Sequence, residues 1–313
     1  MMMLDVRRLR ILHHLAIHGT VAAAAEALHL TAPAVSQQLA VLEREAGLPV
    51  VEKHGRTLRL TTAGELLVAH AEVVLGDLAA AESDLAALRG GRRGQVRVAA
   101  FASAARTLFP AVYRALAEED DAWSRRLALH LTVLEPGDAL QALHKREIDV
   151  AVVHGYTVLP RDFPSGSEQE ALMEDPVVAV LRLDHADRLG LAPGAPADLS
   201  ALAQAPWLTP APDTSCYEMI QRTCGAAGFV PDIRVRSSDF AVLTSLVAAG
   251  AGVALAPRLA VPDDAAGVSL HPLTRPVSRT VFTVSRSGTA RRPDIHLLNS
   301  LLKRAAADHS GSP

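Results

Sequence analysis

The chain has 313 residues, 49% of them apolar and 21% charged, which is enough to build the cores of two or three domains and too apolar for a disordered chain. No apolar run reaches the roughly 18 residues of a membrane helix, the opening MMMLDVRRLRILHHL has no signal-peptide pattern, and two cysteines make no disulfide framework; a soluble, cytoplasmic protein without membrane partners is expected. The formal charge of −3 is unevenly spread: residues 1–62 hold seven Lys/Arg against five Asp/Glu, with five His, and the remainder is acidic. A small basic head on an acidic body is the charge distribution of a nucleic-acid-binding module attached to a second function.

Three short helices are predicted in the head. Asp5 can cap the first, which Gly19 ends near His18; Thr20 can cap a second, Ala-rich helix over 21–28. Thr31, with Pro33 inside the first turn, starts a third that runs to about Ala46. Val35, Leu39 and Leu42 face inward along it, leaving an outward polar face. Helix, tight turn and helix with such a face is helix-turn-helix geometry. After Gly47-Leu48-Pro49, the segment VVEKHGRTLRLT reads as two short strands around His54-Gly55-Arg56, a wing whose Lys53 and Arg56 can reach phosphate or a narrow minor groove.

The stretch Ala24-Ala25-Glu26, Thr31 to Gln38, Leu42-Glu43, Gly47 to Pro49, Arg56 and Leu60 to Gly64 resembles the DNA-binding domain of LysR-type transcriptional regulators. The resemblance implies that the third helix enters the major groove of double-stranded DNA. Pro33, Ser36 and Gln37 would then meet base edges, Thr31 and Gln38 phosphate, and Arg56 would serve the wing; Gln has the chemistry for a bidentate pair with adenine. Two positions depart from the common pattern: Ala32 stands where Gln is frequent and Gln37 where Arg is frequent, which leaves the operator preference open.

Between head and body, over 63–94, Leu67, Ala71, Val74, Leu78, Ala81, Leu85 and Leu88 follow a 4-3-4-3-4-3 spacing. That is an a/d seam about 33 Å long at 1.5 Å per residue. It predicts a dimerising linker helix, with Leu67, Val74, Leu78 and Leu85 as its contacts, ending at a basic Gly-rich hinge over 89–94. An amphipathic helix packed on its own domain is the alternative. The resemblance implies the same linker and a homodimer or homotetramer.

The body, 95–313, alternates apolar runs with helical patterns, which predicts α/β units with parallel strands. VRVAAFASAARTLFP, LHKREIDVAVVHG and SLVAAGAGVALAPRLA carry the family resemblance onward. It implies a two-lobed effector domain like the type-2 periplasmic binding proteins, with lobe I at about 95–165 and 268–313 and lobe II at about 166–267. Ligands of such folds sit between the lobes at helix N-termini. Ser103, Gly137, Thr214, Ser215 and Asp239 are therefore the candidates for binding a small-molecule effector, expected to be a small organic acid or amino acid, and Arg106 could add charge. Ser103, Ser215 and Asp239 could equally be helix caps alone, and His154 a structural residue. Cys216, at a helix start where thiol pKa values fall, and Cys224 open a second possibility, a redox-sensing regulator of the same family. Eight helical residues, about 12 Å, separate the pair, too far for a disulfide without unwinding. No GxSxG, HExxH or CxxC pattern is present, so no enzyme, metal or cofactor is expected. A solute-binding protein would fit the body but not the head.

Overall fold

The computed structural model describes residues 4–54, 57–88, 95–118, 127–164, 166–289 and 292–310. In the head, α1 (Val6–His18), α2 (Val21–Ala27) and α3 (Ala32–Ala46) start at the three expected caps. Asp5, Thr20 and Thr31 accept from the amides of Arg7, Ala23 and Ala34. Gly19 and Gly47 close α1 and α3 in left-handed backbone, at φ 70° and 69°, where a Cβ would be strained. Ala24 and Ala25 are buried, so α2 lies close against its neighbours around Leu9, Leu12, Val35, Leu39 and Leu42. The wing strands β1 (Val51–His54) and β2 (Thr57–Leu60) pair antiparallel. Glu43 fastens the wing to α3 by accepting from the amides of Val50 and Val51 at 3.0 and 3.3 Å. Gly64 lies under the Val50 carbonyl, where a Cβ would collide.

The linker helix α4 (Thr62–Leu88) divides along its length. Its start belongs to the head: Ala71 and Leu75 are buried in the head core, and Leu67 and Val68 pack against it. Farther along, Val74, Leu78 and Leu85 are 37%, 48% and 54% exposed. The seam is therefore split: Leu67 and Ala71 face the head, and Val74, Leu78 and Leu85 face away. The hinge 89–94 lies outside the described residues.

The body is built around one mixed sheet. Parallel strands β3 (Gln95–Ala100), β4 (Ala128–Val133) and β5 (Val150–Tyr156) form lobe I with α5 (Ala102–Thr107), α6 (Phe109–Glu118), α7 (Pro136–His144) and the last helix, α11 (Pro293–Ser310). Strands β7 (Pro206–Thr209), β8 (Asp232–Arg236) and β9 (Val253–Pro257), also parallel, form lobe II with α8 (Leu183–Arg188), α9 (Ser215–Ala226) and α10 (Phe240–Ala248). The 16-residue β6 (Ser167–Arg182) serves both lobes. Residues 167–176 pair antiparallel with β11 (Ser278–Arg286) in lobe I; residues 177–182 pair with β9 and β10 (Val268–Pro272) in lobe II. Strand pairing keeps 167–176 with lobe I and 268–272 with lobe II, so the lobes exchange about ten and five residues later than the expected 166 and 268. The crossover strands are antiparallel, so the sheet is mixed rather than wholly parallel. A single 3-10 turn, Leu199–Leu202, precedes β7, and α5 and α6 are separated at Leu108. No helix of the described residues is long and apolar enough to cross a membrane.

Candidate functional site

On the head, Pro33, Ser36 and Gln37 share one face of α3, at i, i+3 and i+4, and all three are exposed. Thr31 is exposed while its hydroxyl holds the Ala34 amide at 3.3 Å. Gln38 is half-buried: its Oε1 accepts from Nε of Arg8 at 3.1 Å, and Arg8 also reaches Glu45. Its amide group keeps two donors, and Arg8 fixes where they point. Lys53 lies on β1, and Arg56 lies outside the described residues.

In the body a cleft of about 490 Å³ opens between the lobes. Lobe I contributes the start of α7, Glu135 to Asp138. The loop after β5 contributes Leu159 to Asp162, and lobe II the start of α9, Pro212 to Ser215, with Glu218. Two helix N-termini therefore meet at one cavity, each carrying amides free to receive an anionic group. Three of the five expected residues line it: Gly137, Thr214 and Ser215. Thr214 caps α9 by accepting from the Tyr217 amide at 3.2 Å. The Ser215 Oγ is buried without a partner among the described residues, a hydroxyl that a ligand would satisfy.

The rest differ from expectation. Asp239 is exposed, caps α10 through the Ala241 amide at 2.8 Å, and is not among the residues that line the cleft. Arg106 is committed to the carbonyls of Leu259 and Ala260, both at 2.9 Å, and lines a separate cavity. Ser103 is not among the residues lining this cavity; its Oγ accepts from Arg279 at 2.9 Å.

Arg279 is the residue that sequence reading missed. In the register it stands between Tyr156 of β5 and Asp175 of β6, where the chain crosses between lobes. Its side chain is 3% exposed and that of Asp175 2%. Nε of Arg279 donates to Asp175 at 2.9 Å, and the guanidinium lies 4.7 Å from the centre of the Phe101 ring. The other Asp175 oxygen accepts from the Leu259 amide at 3.0 Å. Burial works against the charge, but Tyr156 and Asp175 outweigh it and keep the guanidinium protonated. His154 packs edge-on to Phe101 and Tyr156, at 4.6 and 5.0 Å, and burial, with Arg279 and Arg161 adding to it, holds its pKa well below 6.5. A buried neutral imidazole is the structural role. Its carbonyl accepts from Nε of Arg161 at 2.9 Å, which fixes that guanidinium at the cleft wall.

Charge at the cleft is one-sided. Glu135, Asp138, Asp162, Asp213 and Glu218 line it, and Arg161 is the one cation among the lining residues. Glu218 is paired with Arg222 at 2.7 Å; the other four carboxylates concentrate negative potential. Glu135 is exposed and lines the cleft. Its pKa is raised, first by desolvation between the walls and then by Asp138 and Asp213, against the pull of Arg279 and Arg161.

Both thiols are free and buried. Burial pushes Cys216 up to about 11, though Tyr156 hydrogen-bonds to it, and pushes Cys224 up to about 12. The lowering expected from the helix start is overridden by loss of water. Among the described residues no group of three or more His, Cys, Asp or Glu could hold a metal ion.

Residues 6–65 match the bacterial regulatory helix-turn-helix protein family, lysR family, and residues 89–307 match the LysR substrate binding domain. The chain belongs to the LysR family of transcriptional regulators. Among its curated relatives, the regulator CbbR of Rhodospirillum rubrum is 26% identical over 310 residues, 96% of each chain. A solved peroxide-bound OxyR of Corynebacterium glutamicum with a cysteine substituted is 25% identical, with TM-score 0.58, covering 99% of this chain and 97% of that one. ArgP of Mycobacterium tuberculosis, 23% identical with TM-score 0.62, covers 97% and 98% and shares the fold.

Proposed function

We propose that this LysR-family protein binds double-stranded DNA sequence-specifically as a homo-oligomer, and that a small zwitterion of the amino-acid class, held between its lobes, gates that binding. The observation that carries the ligand class is the meeting of two helix N-termini inside a ring of carboxylates. The amides of α7 and α9, with the Ser215 hydroxyl and Arg161, suit a carboxylate. Glu135, Asp138 and Asp213 suit an ammonium group. A plain organic acid would meet the same amides but also four carboxylates that nothing in it answers, so the amino acid is the better fit.

The redox reading is weaker. A reactive cysteine needs a thiolate and access, and Cys216 and Cys224 have neither.

A thermal-shift screen of small acids, amines and amino acids tests the ligand class. Ligand at 100 times its Kd adds about 2.7 kcal/mol to the domain that binds it. Amino acids should raise the melting temperature, and Glu135→Gln should abolish that rise. Stabilisation by acids lacking an amine, unchanged in Glu135→Gln, would refute the zwitterion.

A further inference from the structure

The charge of Arg8, on α1, is neutralised inside the head. Nη1 of its guanidinium makes an ion pair with Glu45 of α3 and lies 3.4 Å from Oδ2 of Asp5, the residue that caps α1. The side chains of Arg8 and Glu45 are only 21% and 24% exposed. The second Glu45 oxygen is buried without a hydrogen-bond partner among the described residues, so this carboxylate depends on Arg8. One cation between two carboxylates leaves the trio net negative, and Arg8 therefore presents little attraction of its own to a polyanion.

Nε of the same guanidinium donates to Oε1 of Gln38 at 3.1 Å. Arginine has only donors, so the amide atom that faces it must be the oxygen, and Nδ2 with its two donors must point the other way. Without Arg8 the amide could turn over and present either end. Gln38 stands about 100° round α3 from Gln37, on the flank of the exposed face that carries Pro33, Ser36 and Gln37. When a helix lies in the major groove, the middle of that face meets base edges and the flanks meet the groove walls, which are phosphate. Phosphate oxygens only accept hydrogen bonds, so a flanking side chain must offer donors. The outward-turned Nδ2 is the end of Gln38 that can do so.

We propose that Arg8 is a positioning residue for DNA binding, a role that rests on the reading of the head as a DNA-binding domain: its Nε locks the Gln38 amide with Nδ2 towards phosphate, and it makes no phosphate contact itself. The two ways in which an arginine near DNA can act are separable. A direct contact with phosphate releases a counterion and appears in the salt dependence of binding, whereas an orienting bond does not. Glu45 and Asp5 have a part in this too, because they hold the guanidinium in the place from which Nε meets Gln38.

The full chain and the duplex it selects from a randomised pool supply the test. Arg8→Met/Glu45→Met removes a cation and a carboxylate together, so the head keeps its net charge and Glu45 is not left stranded. Binding should weaken about two- to tenfold per head, the cost of ordering a freed side chain. Gln38→Ala should weaken it about tenfold or more, the worth of a hydrogen bond to a charged group. The Arg8 and Glu45 substitutions added to Gln38→Ala should cause no further loss, and the slope of log affinity against log salt should match the parent in all three variants. Circular dichroism checks that each is folded; if the paired methionines unfold the head, Arg8→Met alone carries the test at high salt, where the freed carboxylate is screened. Parent-like affinity without Arg8, an equal further loss in the Gln38→Ala background, or parent-like affinity of Gln38→Ala would each overturn the proposal. So would a salt slope lower by about one per head, which would place Arg8 on phosphate itself. A parent protein that selects no duplex would refute the DNA reading, and this role with it.

Discussion

Replacing Arg279 by Met removes the cation on which the lobe crossover is built. Asp175 would keep the Leu259 amide at 3.0 Å but would stand as a charge 2% exposed with no counter-ion in contact. Stranding a buried charge in this way costs about 3–5 kcal/mol. The lost contact with the Phe101 ring is contained in that figure rather than added to it. In a domain of this size each kcal/mol is about 2–4 °C of melting temperature, so the effector domain should melt roughly 6–20 °C lower. Differential scanning calorimetry of the full chain reads this, since the head gives its own comparison. Arg279→Met/Asp175→Leu removes both charges and should recover most of the loss, because two apolar side chains leave nothing stranded. A melting temperature within about 2 °C of the parent for Arg279→Met, or a double variant no better than the single, would show that the pair does not hold the crossover together.

Other expectations follow from the same structure. Effector affinity should rise with pH through the raised Glu135 pKa, because only the ionised carboxylate meets an ammonium group and binding then expels its proton; calorimetric titrations in buffers of different ionisation heat count that proton. Leu78→Asp should break the oligomer as seen by light scattering, since it places a charge on the exposed seam of α4, whereas Leu75→Asp should instead unfold the head, where Leu75 is 9% exposed. Gln37→Ala should relax selectivity at one base pair in each half-site, at about 1–3 kcal/mol, in a selection from randomised duplexes.

The head was nearly all legible in the sequence, because its signals are local. Asp5, Thr20 and Thr31 cap helices, Gly19 and Gly47 end them, and each acts within four residues. The seam of α4 was legible as a period but not as a partition, since Leu75, outside the period, joins Ala71 in the head core. In the body, β7 and β10 are short strands of four and five residues, each carrying a proline, and the first half of β6 is polar and partly exposed, so neither left an apolar run to read. Arg279 and Asp175 lie 104 residues apart and meet only through strand register. That Gly137, Thr214 and Ser215 stand at helix starts was legible because a helix start can be read locally. The carboxylates around them could not be gathered without knowing that three loops converge.

A ligand between the lobes should change how the head binds DNA. The measurement that tests it most directly is selection of genomic duplex fragments by the full chain, with and without the amino acid that stabilises it, followed by titration of the selected duplex in both conditions. A defined duplex should be selected whose affinity shifts with ligand in the parent protein and stays fixed in Glu135→Gln. A ligand that binds and stabilises the protein while the selected duplexes and their affinities stay unchanged would contradict it.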